Sequence, residues 1–104
     1  MALKMERSRG NVFHDLGFDA KESESLRIRA ELMAEIKRVI QGRKLTQREA
    51  AKLFGVTQPR MSDLVRGKLD LFSIETLINM LVRAGIHVQL RLVRTRYSRS
   101  AQAA

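Results

Sequence analysis

Apolar residues in the first half of the chain follow the period of one long helix. Between residues 24 and 41 they recur at helical spacing along a single stripe. The residues of this stripe are Ile28, Leu32, Met33, Ile36, Val39 and Ile40. Ser23 is suited to cap the helix and Gly42 to end it, because a serine hydroxyl accepts an orphan amide and glycine tolerates the conformation that stops a helix. Arg29 lies within the stripe, so we expect it to extend its charged end into solvent.

Two much shorter helices follow, separated by a glycine. Thr46 and Glu49 have the spacing of a capping box. The helix has room for two turns before Gly55, which can take a positive φ, and Thr57 then caps a second helix with Pro59 in its first turn. The apolar residues expected to join both helices to one core are Ala50, Leu53, Phe54, Val56, Met61, Leu64 and Val65. At about 100° per residue, the opposite face of the second helix carries Gln58, Pro59, Ser62, Asp63 and Arg66.

A last helix and a strand complete the pattern. Ser73 is placed to cap this helix, and Phe72 and Leu77 have the spacing of a hydrophobic staple. Its apolar stripe is Ile74, Leu77, Ile78, Leu81 and Val82. After Gly85 the period becomes two, as in a half-buried strand, with one face formed by Ile86, Val88, Leu90 and Leu92. No other segment has the pattern of a strand, so we expect this one to pair antiparallel with its copy in a homodimer.

The length and charge of the chain narrow its class. Its 104 residues fit one small domain. We expect an N-terminal arm at residues 1–22, a folded domain at 23–93 and a disordered basic tail at 94–104. Residues 1–42 carry 8 basic and 7 acidic side chains, whereas residues 43–104 carry 12 and 4, so +8 of the net charge of +9 lies in the part of the chain that contains the two short helices. This asymmetry favours a polyanion partner, double-stranded DNA, over a merely solubilising charge excess.

Other classes of protein fit this sequence poorly. The chain has no cysteine, so neither a disulfide nor a thiolate metal site is expected. No apolar run approaches the roughly 20 residues of a membrane span, and the first residues lack the apolar core of a secretion signal, so we expect a cytoplasmic, nucleoid-associated protein. His14 and His87 have no partnered nucleophile or ligand cluster, so we expect neither an enzyme nor a bound metal or cofactor. An aromatic content of 5% suits RNA recognition by base stacking poorly.

The segment TQREAAKLFGVTQPRMSDL, residues 46 to 64, resembles the helix-turn-helix of the lambda-repressor and Cro superfamily, also called the XRE family. The resemblance rests on Gln47, Ala51 and Gly55 at intervals of four, and on the apolar residues of the second helix. An ordinary αα-hairpin is the alternative, but both caps and the small residue at the helix crossing favour the DNA-binding domain. Together with the final strand, this implies a mainly α fold: a lambda-repressor-like helix-turn-helix domain with a C-terminal β-strand that pairs across a homodimer.

From about residue 10 to residue 93, the chain is similar to the antitoxins of HigA-type toxin–antitoxin modules and their regulator relatives. The shared segments are like NVFHDLGF, TQREAAKLFGVTQPRMSDLVRGK, LDLFSIETLINML and IHVQL. The resemblance implies a homodimer that binds a palindromic operator in its own promoter, and a RelE-like ribonuclease as partner toxin. The alternative is a stand-alone XRE-family repressor without a toxin. NVFHDLGF is either a toxin-binding arm or a segment whose Phe13 and Phe18 pack on the long helix.

Several residues are candidates for contacts with DNA. Gln58 suits base readout, because its amide can form a bidentate pair with adenine. The lambda-type resemblance implies that Gln47 holds a phosphate and supports Gln58. Asp63 either accepts from cytosine N4 or pairs with Arg60 or Arg66. The remaining candidates are Thr57, Pro59 and Ser62, with the cations Arg43, Lys44, Arg48, Arg60, Arg66 and Lys68. Each single cation has an ordinary solvated surface charge as its alternative.

Overall fold

The computed structural model describes residues 16–17 and 19–94, and this part of the chain is mainly helical. Its elements are α1 (Ala20–Gly42), α2 (Gln47–Phe54), α3 (Gln58–Val65), a 3₁₀ turn (Leu69–Leu71) and α4 (Ile74–Arg83). None of these helices combines the length and apolar character needed to cross a membrane. The predicted contacts of Phe13 and Phe18, the histidine at position 14 and the tail from residue 95 onward lie outside the described residues.

The start of α1 differs from the prediction. Asp19, and not Ser23, is the N-cap, and its Oδ1 accepts a hydrogen bond from the Glu22 amide at 2.7 Å. Ser23 is 1% exposed inside the helix, and its own amide donates to the Asp19 carbonyl. An aspartate at this position is favoured because it accepts an orphan amide and its negative charge complements the positive end of the helix dipole. Residues 20–22, assigned to the arm from sequence, therefore belong to α1.

The end of α1 also differs from the prediction. Gly42 is still helical, and the left-handed residue is Lys44, with φ 54°. The Leu45 amide donates to the Ile40 carbonyl at 3.0 Å and the Lys44 amide to the Gln41 carbonyl at 3.2 Å, which is the bonding of a Schellman motif. The motif satisfies the carbonyls of Ile40 and Gln41 at the helix end. It also fixes the conformation of Lys44, a basic residue in the loop before α2.

The core lies where the four helices meet. The predicted α1 stripe is buried or half-buried, and α1 packs mainly against α4. The fully buried apolar residues are Leu32, Met33, Ile36, Ala50, Ala51, Phe54, Met61, Leu64, Phe72, Leu77, Met80 and Leu81. Two predicted core residues, Val65 and Val82, are instead exposed, because they lie at the edges of the inward faces of α3 and α4. Met80, which the predicted stripe lacked, is buried on α4 beside Leu77 and Leu81.

Arg29 does not extend into solvent as predicted. It is partly buried, and one guanidinium nitrogen donates to the Leu69 carbonyl at 3.0 Å while the other donates to Ser25 Oγ at 3.1 Å. A cation within an apolar stripe is thus satisfied by hydrogen bonds inside the protein, as burial of a charged group requires. The bond to Leu69 joins α1 to the 3₁₀ turn.

Residues 86–94 follow α4 as a segment without regular secondary structure. The Ser73 cap is confirmed, since its hydroxyl accepts from the Thr76 amide at 3.0 Å. The helix ends at Arg83, and Gly85 is left-handed, with φ 82°, just after the C-cap Ala84. Ile86 and Val88 pack against the core, whereas Leu90 and Leu92 are 75% and 92% exposed. No strand is assigned at residues 86–93, and the described residues contain no β-ladder, so the predicted strand is not seen to pair within this part of the chain. Its pairing with a second copy stays a prediction.

Candidate nucleic-acid interface

The start of α2 is fixed by the predicted capping box. Thr46 Oγ1 accepts from the Glu49 amide at 3.1 Å, and Glu49 Oε1 accepts from the Thr46 amide at 2.9 Å. Each side chain satisfies an amide that the helix itself leaves unpaired. The box therefore sets the position of Gln47, which is the first residue of α2 and is exposed to solvent.

The turn between α2 and α3 depends on a left-handed residue. Gly55 has φ 73°, and the Val56 amide donates back to the Ala51 carbonyl at 3.0 Å. Ala50 and Ala51 are buried, and α2 makes extensive contacts with α3. Small side chains allow the two helices to approach closely, as expected from their sequence. The two helices are thus locked to each other by packing and by the turn.

The face of α3 that the sequence predicted to lie opposite the core, here called the reading face, does point away from the core. Thr57 Oγ1 caps the helix by accepting from the Arg60 amide at 3.3 Å, and Met61 and Leu64 are buried on the inner face. On the other side Gln58 is the first helical residue and is exposed. The rest of that face consists of exposed Pro59 and Arg66 and half-buried Ser62 and Asp63. The structure therefore brings the candidate base-reading amide to an accessible helix start.

Asp63 has a different partner from those predicted. Its Oδ1 lies 3.5 Å from Lys68 Nζ, and its carbonyl accepts the Lys68 amide at 3.2 Å. It makes no ion pair with Arg60 or Arg66 among the described contacts. Both side chains are partly exposed, so the pair contributes less than about 1 kcal/mol to stability. It nevertheless joins α3 to the loop that follows it.

Arg60 is engaged inside the protein. Its guanidinium donates to the Leu71 carbonyl at 2.9 Å, and its Cζ lies 4.4 Å from the centre of the Phe72 ring. The 3₁₀ turn that supplies this carbonyl was not predicted, because three residues carry no periodic signal. Arg60, one of the six predicted cations, thus uses its planar guanidinium for contacts within the protein.

The other predicted cations are exposed. Arg43 and Lys44 occupy the loop before α2, Arg48 is the second residue of α2, and Arg66 and Lys68 follow α3. Arg43, Lys44 and Arg48 are thus close in sequence to Gln47, whereas Arg66 and Lys68 are at the other end of α3 from Gln58.

Two capped helices, a left-handed glycine between them and an outward face on the second define a helix-turn-helix domain. A comparison with known families agrees: a profile described as a helix-turn-helix domain matches residues 12–93. The chain belongs to this helix-turn-helix family, and such a domain indicates a DNA-binding regulator. No curated protein sequence matches the chain.

Proposed function

We propose that the protein is a transcriptional repressor that binds a palindromic operator as a homodimer, and that it is the antitoxin of a type II toxin–antitoxin module. The observation that carries the DNA-binding part is the exposed start of α3, with Gln58 held between a threonine cap and a buried inner face. The proposed role is binding, and no residue is assigned a catalytic role.

Gln58 is the proposed base-reading residue. Recognition helices contact base edges mainly with their N-terminal residues, and Gln58 is the first residue of α3. A glutamine amide matches the donor and acceptor pattern of adenine in the major groove, and such a pair contributes about 1–3 kcal/mol of discrimination. The lambda-type resemblance implies that Gln47, the exposed first residue of α2, holds a neighbouring phosphate. Ser62 and Pro59 complete the surface against the groove.

The exposed cations supply the sequence-independent part of the affinity. Arg43, Lys44 and Arg48 flank the start of α2, while Arg66 and Lys68 flank the end of α3. Each phosphate that such a side chain neutralises releases counterions and makes binding weaker as salt rises. The excess of basic residues after position 42 supports this role.

The homodimer is supported by the apolar residues of the segment after α4. Its inner residues Ile86 and Val88 pack on the core, while Leu90 and Leu92 are exposed beyond it. An unpaired strand edge with apolar side chains is stabilised by antiparallel pairing with its own copy. A two-fold pair presents two α3 helices, which suits half-sites about 34 Å apart.

The antitoxin role rests on the resemblance of the segment order to HigA-type antitoxins. It predicts a RelE-like ribonuclease as partner. A stand-alone XRE-family repressor is the alternative, and the gene beside this one distinguishes them. A small basic ribonuclease-like gene supports the antitoxin, whereas an unrelated neighbour supports the stand-alone repressor.

Base reading is tested by replacing Gln58 with alanine. We expect Gln58→Ala to weaken binding to an operator duplex, selected from random sequences, by about 1–3 kcal/mol and to leave binding to a scrambled duplex nearly unchanged. Asn79→Ala is the matched control, since Asn79 is an exposed amide on α4, outside the helix-turn-helix. An equal loss on both duplexes would mean that Gln58 positions the protein and does not read a base.

A further inference from the structure

The 3₁₀ turn Leu69–Leu71 is held by two arginines from different helices. Arg29 on α1 donates to the Leu69 carbonyl at 3.0 Å, and Arg60 on α3 donates to the Leu71 carbonyl at 2.9 Å. Both acceptors are main-chain atoms of one short segment. The turn therefore links α1 to the recognition helix through two charge-assisted hydrogen bonds.

The contact of Arg60 requires the planar shape of its side chain. Its guanidinium stacks on Phe72, with Cζ 4.4 Å from the ring centre, and also donates to the Leu71 carbonyl. A planar guanidinium can stack with its face and donate from its edge at the same time, which a lysine ammonium cannot do. Phe72 is 1% exposed, so Arg60 is anchored on a residue of the core.

Helix α3, the proposed recognition helix, needs a contact such as that of Arg60 with Phe72 and Leu71. Among the described helices, α3 makes extensive contacts only with α2, whereas α1 and α4 pack against each other and α1 also packs on the 3₁₀ turn. Met61 and Leu64 hold the inner face of α3, but Arg60 joins the helix to the segment that leads into α4. This bond and stack therefore add to the core packing of Met61 and Leu64 in fixing the angle of α3 to the rest of the domain.

We propose that Arg60 is a positioning residue for DNA reading and not a phosphate ligand, and that Arg29 supports it from the other side of the same turn. The inference rests on the proposed DNA-binding function. It separates Arg60 from Arg66, which lies one residue past the end of α3, is exposed and has no ion pair among the described contacts.

The test is a salt titration of operator binding by three variants and a control. The duplex is one selected by the wild-type protein from random sequences. Arg60→Met should lower the affinity about tenfold while the slope of log K against log salt stays at the wild-type value. Arg60→Lys keeps the charge but cannot restore the combined stack and bond, so it should bind as weakly. The control Arg66→Met should reduce the steepness of the slope by about 0.9, the value for one lost phosphate contact.

Arg29→Met removes the hydrogen bond by which α1 supports the 3₁₀ turn. Arg29 is far in sequence from the residues of the reading face. We expect the variant to weaken operator binding with an unchanged slope, like Arg60→Met. Circular dichroism selects a temperature at which each variant is folded; if Arg60→Met does not fold, Arg60→Lys and Arg29→Met decide the question.

Two results would overturn the inference. One is a slope reduced by about 0.9 in Arg60→Met together with full recovery in Arg60→Lys, which would make Arg60 a phosphate ligand. The other is wild-type affinity in the folded Arg60 and Arg29 variants. If instead the wild-type protein preferred no duplex over a scrambled one, the proposed function would fail and this inference with it.

Discussion

Replacement of Gly55 by alanine tests the turn on which the helix-turn-helix depends. Gly55 has φ 73°, in the left-handed region that residues with a Cβ rarely adopt. A Cβ at this position would lie 2.2 Å from Nε of Arg83, which extends from the end of α4 across the turn. Alanine therefore meets both backbone strain and a side-chain overlap.

The expected loss of stability follows from these two effects. The left-handed conformation costs alanine about 1–2 kcal/mol. Reduced freedom of the unfolded chain offsets about 0.4–1 kcal/mol of that cost. The overlap involves only the flexible end of an exposed arginine, which can move aside. We expect a net loss of about 1 kcal/mol, which lowers Tm by about 4–8 °C in a domain of this size.

Thermal unfolding followed by circular dichroism measures this loss, and Gly42→Ala is the matched control. Gly42 is helical, and a Cβ there would meet no atom within 4 Å. Because alanine is favoured over glycine within a helix by up to about 1 kcal/mol, this variant should be more stable than the wild type. Adding Arg83→Ala to Gly55→Ala removes the overlap and should leave most of the loss. A Gly55→Ala protein as stable as the wild type would refute the left-handed turn.

Two further predictions concern binding and assembly. Affinity for the operator should fall steeply with salt, by about 0.9 in the log–log slope for each neutralised phosphate, and a slope near zero in a fluorescence titration would exclude the exposed cations as an interface. Leu90→Pro removes a main-chain donor from the predicted strand and should sediment as a monomer with weakened operator binding, whereas Leu90→Ala keeps the donor and should retain more of the dimer. A dimeric Leu90→Pro protein would place the interface elsewhere. The point variant is preferable to truncation after residue 85, which would also remove Ile86 and Val88 from the core.

The local features of the helix-turn-helix could be predicted because short spacings encode them. A threonine and a glutamate three residues apart can close a capping box with no help from the rest of the chain, and the box of Thr46 and Glu49 forms as expected. The same reasoning failed at the ends of α1, where two acceptable signals compete. Asp19 caps in place of Ser23, and Lys44 takes the left-handed position in place of Gly42.

The tertiary contacts of the arginines could not be predicted. Arg29 bonds to a carbonyl 40 residues away, and Arg60 bonds to one 11 residues away. The pattern of residue types does not indicate which backbone carbonyl accepts a hydrogen bond, nor where a short 3₁₀ turn forms. Charge alone placed Arg60 among the phosphate ligands, and its stack on Phe72 became visible only in the folded chain. The pairing of the last segment with its copy was predicted from the sequence and stays a prediction, because the proposed partner is a second molecule.

The central claim, that α3 reads DNA sequence, is tested most directly by selection of duplexes from a random pool with the wild-type and Gln58→Ala proteins in parallel. The wild-type protein should enrich two inverted half-sites about 34 Å apart. Gln58→Ala should lose the preference for adenine at one position in each half-site while the rest of the motif persists. A wild-type protein that enriches no motif would contradict the claim.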